Sequence, residues 1–206
     1  MPEIRSVAVY CGSFSTAPQH YKDIANQVGT QIGAAGLMLV YGGSTVGLMG
    51  ITANAVLEAG GRATGVIPTF LSKREPKHPG LTELIEVEDM HTRKRIMAER
   101  ADAFIILPGG FGTLDELAEI MTWRQLDLHR KPIVALNVHG YWDGLQAQMA
   151  HMAKEGFIKP QHADLVRFHN DPATLLEVLL EEGEKADEAS GTAAPGPAHV
   201  DALDRT

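Results

Sequence analysis

The stretch that most constrains this chain runs from Ala101 to Thr122, ADAFIILPGGFGTLDELAEIMT, where a short apolar run meets a glycine-rich turn that opens into an amphipathic helix. Phe104 to Leu107 is branched, uncharged and closed by Pro108, the pattern of a strand buried on both faces in a parallel sheet. Gly109, Gly110 and Gly112 then form a corner where the backbone is free to take positive φ and a ligand is free to approach the main chain. From Thr113, read as the N-cap, the spacing Leu114, Leu117, Ile120, Met121 is helical. The open N–H groups and positive dipole end of that helix would face whatever rests on the glycines, most often phosphate.

A purely structural reading competes. Thr113-x-x-Glu116 fits a capping box, with Glu116 reaching back to the Thr113 amide, and glycines at strand-to-helix corners are often turn residues alone. Charge argues for function: Asp115 and Glu116 beside a bound phosphate are unfavourable unless a carboxylate serves the chemistry.

The rest of the chain repeats the same unit. Ser6–Tyr10 reads as a strand, with a loop over Cys11–Ser15 and a helix from Pro18 to Ala35. Leu37–Tyr41 is a second strand leading through Gly42–Gly50 into a helix that ends near Gly60-Gly61. This second glycine corner either presents amides to the same ligand or lets a helix pack close to the sheet. Ala63–Ile67 and Leu84–Val87 are further strands, separated by a polar surface loop, Pro68–Gly80, that carries Glu75. Asp89 is placed to cap a helix running to Arg100. That helix holds Arg93, Lys94 and Arg95, which point about 100° apart, so at most two of them serve one ligand. Lys131–Asn137 is a strand, Gly140–Gly144 a turn, Trp142–Glu155 a helix, Val166–His169 an edge strand and Asp171–Glu182 a capped final helix.

This alternation predicts an α/β, Rossmann-like, doubly wound and mostly parallel sheet in three layers, with the ligand at the carboxyl edge. Residues 1–182 read as a single nucleotide-binding α/β domain, and 183–206 as a disordered acidic tail without Phe, Tyr, Trp or Ile. Of the net charge of −8, Glu181–Thr206 supplies −5, so the body carries only −3 and no nucleic-acid-binding surface is expected. Cys11 is the only cysteine and the histidines lack a metal-ligand spacing, so neither metal nor cofactor is expected. The N-terminus reaches glycine and serine before any signal-peptide core, and no apolar run is long enough to span a membrane; a cytoplasmic location is expected.

Three motifs occur together: GG-x-x-x-GLMG at Gly42–Gly50, MH-x-RK at Met90–Lys94 and PGG-x-GT-x-x-E at Pro108–Glu116. In this combination the chain resembles the LOG (Lonely Guy) family of cytokinin riboside 5′-monophosphate phosphoribohydrolases, long mislabelled as lysine decarboxylases. The resemblance spans roughly Val7 to Ile158. It implies hydrolysis of the N-glycosidic bond of N6-substituted adenosine monophosphates, with plain AMP also accepted, to free base and ribose 5-phosphate. By motif match it implies Arg93 and Glu116 as the catalytic pair. Glu75, Lys94, Gly110, Phe111, Gly112, Thr113, Leu114, Asp115 and Thr122 would contact the nucleotide. It also implies a homodimer with helices of both subunits near the site.

The chemistry fits that assignment. A fixed carboxylate stabilises the oxocarbenium character of the ribose or activates the attacking water, and Arg93 would keep Glu116 ionised. Thr122 lies six residues past Glu116, about 240° around the helix, so it is expected at the partner's site or at the dimer seam. The alternative is a non-catalytic nucleotide or molybdenum-cofactor carrier on a similar fold. A decarboxylase would need a pyridoxal-phosphate lysine, and Lys94 has no evident pyridine partner.

Overall fold

The protein is described by a computed structural model covering residues 4–191. Its first half consists of β1 (Ser6–Tyr10), α1 (Gln19–Ala34), β2 (Met38–Tyr41), α2 (Gly47–Glu58), β3 (Arg62–Pro68), the short α3 (Thr69–Ser72), β4 (Glu83–Val87) and α4 (Met90–Arg100). The second half adds β5 (Ala103–Ile106), α5 (Phe111–Gln125), β6 (Ile133–Leu136), α6 (Asp143–Lys154), β7 (Arg167–His169) and α7 (Leu175–Gly191).

The strands form one sheet in the order β4-β3-β2-β1-β5-β6-β7, and every pairing is parallel. The chain winds outward from β1 to β4, then returns to the other side of β1 with β5. That reversal places the crevice of a doubly wound sheet between the carboxyl ends of β1 and β5, where Tyr10 pairs with Ile106.

Side-chain alternation along the strands builds a core on each face. Val7 and Val9 of β1 and Ile105 of β5 join α1, α2 and α7 through Val28, Ile32, Val56, Leu175 and Leu179. Ala8, Tyr10, Phe104 and Ile106 face the other way, onto Met97 of α4, Leu117 and Ile120 of α5 and Met149 of α6. The three layers expected from the sequence are present.

Two segments are more ordered than the sequence suggests. Pro68–Gly80 is a bonded strap and not a loose surface loop. After α3, Ser44 and Lys77 form an antiparallel bridge, the Thr45 amide donates to Pro76 O at 3.2 Å, and the His78 amide donates to Gly43 O at 3.2 Å. The buried His78 ring anchors the strap, with Nε2 2.9 Å from Asn54 Oδ1 and Nδ1 accepting the Gly80 amide at 3.1 Å. Helix α7 continues past Glu182 to Gly191, with Lys185 2.7 Å from Glu182. Of the tail expected to be disordered, 192–206 lies outside the described residues.

Candidate active site

Helix α5 begins at Phe111, with Gly110 as its N-cap, three residues before the Thr113 N-cap read from the sequence. Thr113 is therefore inside the first turn and buried, Glu116 is buried below it, and the capping box does not form. Leu114 closes the first backbone bond, onto Gly110 O at 3.1 Å. The amides ahead of it, Phe111, Gly112 and Thr113, are the open donors of the helix start.

The glycines serve space here, not positive φ. Gly110 sits at φ −94°, ψ −153°, a conformation open to any residue, because the chain passes from strand to helix without reversing. A Cβ on Gly109 would strike the Thr113 side chain and come within 2.9 Å of the Gly12 amide, whereas one on Gly110 or Gly112 would meet nothing within 4 Å. The clear side of the corner is the side a ligand would approach.

The second glycine corner resolves differently. Gly43 and Gly47 do adopt positive φ, and the amides there are spent internally: Thr45 on Pro76 O, Val46 on Ser44 Oγ and Leu48 on Gly12 O. Gly42 makes room for a side chain, since the Arg93 guanidinium and Met49 Sδ fill the volume where its Cβ would be.

Helix α4 delivers the cations. The Asp89 side chain caps it by accepting the Thr92 amide at 2.8 Å, as the sequence predicts. Arg93 and Lys94 turn inward and are buried, while Arg95 points to solvent and pairs with Glu99. Lys94 Nζ lies 3.0 Å from Asp115 Oδ2 and 3.3 Å from Glu119 Oε1, bracing α4 against α5. Burial pulls the Lys94 pKa down, but the hydrogen bonds that Lys94 donates to Asp115 and Glu119, with the charges of both, outweigh it, and the net shift is upward. The Arg93 Nε is buried without a hydrogen-bond partner among the described residues, an unspent donor of the kind that marks functional sites.

Glu116 completes the cluster. Burial raises its pKa to about 7; Arg93 and Lys94 oppose the rise, and Asp115 and Glu119 reinforce it. The expectation that Arg93 keeps Glu116 fully ionised is thus corrected, because desolvation outweighs the two cations. A carboxyl group poised near neutrality is suited to proton transfer at physiological pH.

The remaining predicted residues fall in three places. Gly110, Phe111, Gly112 and Leu114 line the exposed start of α5. Glu75 is half-buried on the strap beside the second glycine corner, its amide donating to Leu71 O at 2.8 Å. Thr122 is not brought to Glu116: it is exposed, and its hydroxyl donates to Ala118 O at 2.8 Å. The sequence reading missed Glu119 and Tyr10. Glu119 follows Asp115 at i+4 and so shares its helix face, a signal that was available. Tyr10 is buried at the end of β1 with its pKa raised, by burial first and then by Glu116 and Glu119; only the fold brings it there.

A switch-point crevice, an open helix start at a glycine corner and a buried carboxyl group flanked by Arg93 and Lys94 define an α/β protein of the doubly wound class with a candidate anion site at its carboxyl edge. Comparison with known proteins narrows this. Residues 49–179 match the family described as "Possible lysine decarboxylase". The cytokinin riboside 5′-monophosphate phosphoribohydrolase of Rhodococcoides fascians is 49% identical, over 77% of this chain and 81% of that protein. One of the enzymes of that name from Arabidopsis thaliana is 44% identical, over 77% of this chain and 74% of that protein. The chain belongs to this phosphoribohydrolase family. Among solved structures, the molybdenum cofactor binding protein of Rippkaea orientalis superposes with a TM-score of 0.68 at 22% identity, covering 88% of this chain and 98% of that one, a likeness of fold. Lys94 does not suit the decarboxylase chemistry that the family description names. Imine formation needs a neutral lysine, and Lys94 is held charged by two carboxylates.

Proposed function

We propose that this chain hydrolyses the N-glycosidic bond of N6-substituted adenosine 5′-monophosphates, and of AMP, to release the free base and ribose 5-phosphate. The observation that carries the reading is Glu116: a buried carboxyl group with a pKa of about 7, on the first turns of the helix whose open amides begin at Phe111. Relatives bearing the phosphoribohydrolase name over most of their length support the same reaction.

The phosphate would rest on the Gly112 and Thr113 amides, where the Cβ-free face of the corner leaves room. Its binding energy, remote from the scissile bond, fixes the ribose against Glu116. As the bond from C1′ to the base nitrogen lengthens, positive charge grows on the sugar and the ionised Glu116 stabilises it. Water then adds to C1′ and gives its proton to Glu116, and that proton passes on to the ring nitrogen of the departing base, which returns Glu116 to the carboxylate. Arg93, with a free Nε donor, would hold the ribose or the carboxylate, and Glu75 on the strap would close over the nucleotide.

The subunit would work as a homodimer. Phe111 (91% exposed), Leu126 (60%) and Leu128 (64%) join Leu114 and Thr122 on the outward side of α5 and its end, an apolar surface suited to a second copy. Thr122 on that face would reach the seam. No helix among the described residues is long and apolar enough to cross a membrane.

Base release from isopentenyladenosine monophosphate, AMP and the unphosphorylated riboside, for wild type and Glu116→Gln, tests the reading. Monophosphate-dependent release lost in the variant is the expected result. Nucleotide binding without release would instead favour a carrier.

A further inference from the structure

Tyr141 lies outside every motif that carries the resemblance, yet its hydroxyl donates to Gly109 O at 2.7 Å, on the phosphate corner itself. We infer that Tyr141 is a positioning residue that sets selectivity for the 5′-monophosphate by fixing the Gly109–Gly110 peptide. The inference rests on the reading of this corner as the phosphate site.

The peptide is planar and trans, so its C=O and N–H point in opposite directions. Holding the Gly109 carbonyl toward Tyr141 therefore turns the Gly110 N–H to the opposite side of the peptide, at a residue where even a Cβ would meet nothing within 4 Å. Two glycines in series would otherwise leave this plane free to rotate. The crowding of Gly109 by Thr113 and by the Gly12 amide limits one side, and the Tyr141 hydroxyl fixes the carbonyl.

The loop that delivers Tyr141 is built for the purpose. His139 (φ 54°) and Gly140 (φ 68°) are consecutive left-handed residues, and only Gly140 is a glycine. A non-glycine residue there is strained, and such strain persists where the surroundings over-determine it. Here Asn137 fixes the turn, its Oδ1 accepting the Trp142 amide at 2.6 Å and its Nδ2 donating to Asp143 Oδ1 at 2.8 Å. The Tyr141 ring is then wedged edge-on against Trp142 (4.9 Å between centroids) and Tyr21 (5.6 Å), with His139 packed on His20 at 4.8 Å. Tyr141 is 42% exposed, so water could satisfy its hydroxyl; the ring is nonetheless held so that the hydroxyl meets one backbone carbonyl.

The test compares wild type, Tyr141→Phe and Tyr141→Ala. In Tyr141→Phe the ring packing stays and only the clamp goes. The expected result is a three- to tenfold rise in KM for the monophosphate with kcat within twofold, no change for the riboside, and weaker inhibition by inorganic phosphate. Melting temperatures and equilibrium binding of AMP against adenosine are measured on the same samples. Unchanged monophosphate KM and AMP affinity in Tyr141→Phe would overturn the clamp, as would an equal loss for adenosine. If wild type releases no base, the proposed reaction fails on its own, and the AMP-to-adenosine binding ratio still decides the role of Tyr141. A Tyr141→Ala variant too unstable to assay leaves that decision with Tyr141→Phe.

Discussion

Lys94 Nζ sits 3.0 Å from Asp115 Oδ2, and this pair resolves the charge conflict posed by two adjacent carboxylates at an anion-binding helix start. Asp115 is neutralised by a lysine that is itself almost wholly buried, and Glu116 is held near its midpoint at neutral pH. One buried lysine shared by Asp115 and Glu119 thus offsets part of the negative charge that the sequence spells out at the helix start.

Replacing Lys94 with Met tests that arrangement. Asp115 is 58% exposed and Glu119 24% exposed, so the loss is smaller than for a fully buried pair, about 1–2 kcal/mol of stability by urea denaturation. Lys94 also lowers the Glu116 pKa, so its removal moves the pH inflection of kcat/KM to higher pH. An unshifted profile would remove Lys94 from the electrostatics of the site.

The sheet was legible because it rests on periodicity, apolar strand runs closed by Gly or Pro; the 100° step on α4 showed only that at most two of Arg93, Lys94 and Arg95 serve one ligand, and the choice of Arg93 and Lys94 came from the motif match. The corner was legible in kind and misread in mechanism. Sequence shows that Gly109, Gly110 and Gly112 lack side chains, but not which neighbours would collide with one. The net protonation of Glu116 was out of reach as well, because it depends on how far burial by α4, α5 and β1 outweighs two nearby cations. Tyr141 meeting Gly109 across 32 residues is a property of the topology alone.

The glycines of the corner separate on that basis. In Gly109→Ala the new methyl meets Thr113 and the Gly12 amide, and a loss of about 1–3 kcal/mol is expected. Gly112 is inside the first turn of α5 with open space around it. Gly112→Ala should keep or raise the melting temperature, since Ala is the better helix former, while raising KM for the monophosphate. Calorimetry beside steady-state kinetics reads both. Equal destabilisation by the two substitutions would contradict the geometry.

The outward side of α5 gives a prediction about assembly. Leu114→Asp places a charge among Phe111, Leu114 and Thr122, and is expected to convert the proposed dimer to monomer in light scattering without unfolding it, because Leu114 is 36% exposed in the subunit. Thr122→Ala leaves the dimer intact; if Thr122 reaches the partner's nucleotide, it raises KM. A wild-type monomer with full activity would refute both statements.

Glu116 yields opposite signs for activity and stability. The group acts as a carboxylate, so kcat/KM should rise with pH through about 7, the Glu116 pKa in the free protein. The substrate phosphate titrates near pH 6 and adds its own inflection, so Glu116→Gln is the control: it should lose the Glu116 limb and at least about 100-fold of the rate. Stability runs the other way. Because the folded pKa lies above the unfolded value, stability is fully present below about pH 4.5 and is lost as pH rises through about 7. A shift from 4.5 to about 7 corresponds to a penalty on the order of 3 kcal/mol above pH 7. Glu116→Gln removes that penalty. The variant should melt at the same temperature as wild type near pH 4 and at a higher temperature at pH 8, the stability cost of keeping a reactive carboxylate buried. Wild type and variant with the same difference in melting temperature at both pH values would show that Glu116 titrates like an exposed carboxylate, and the reading of it as the group that stabilises the sugar cation would lose its basis.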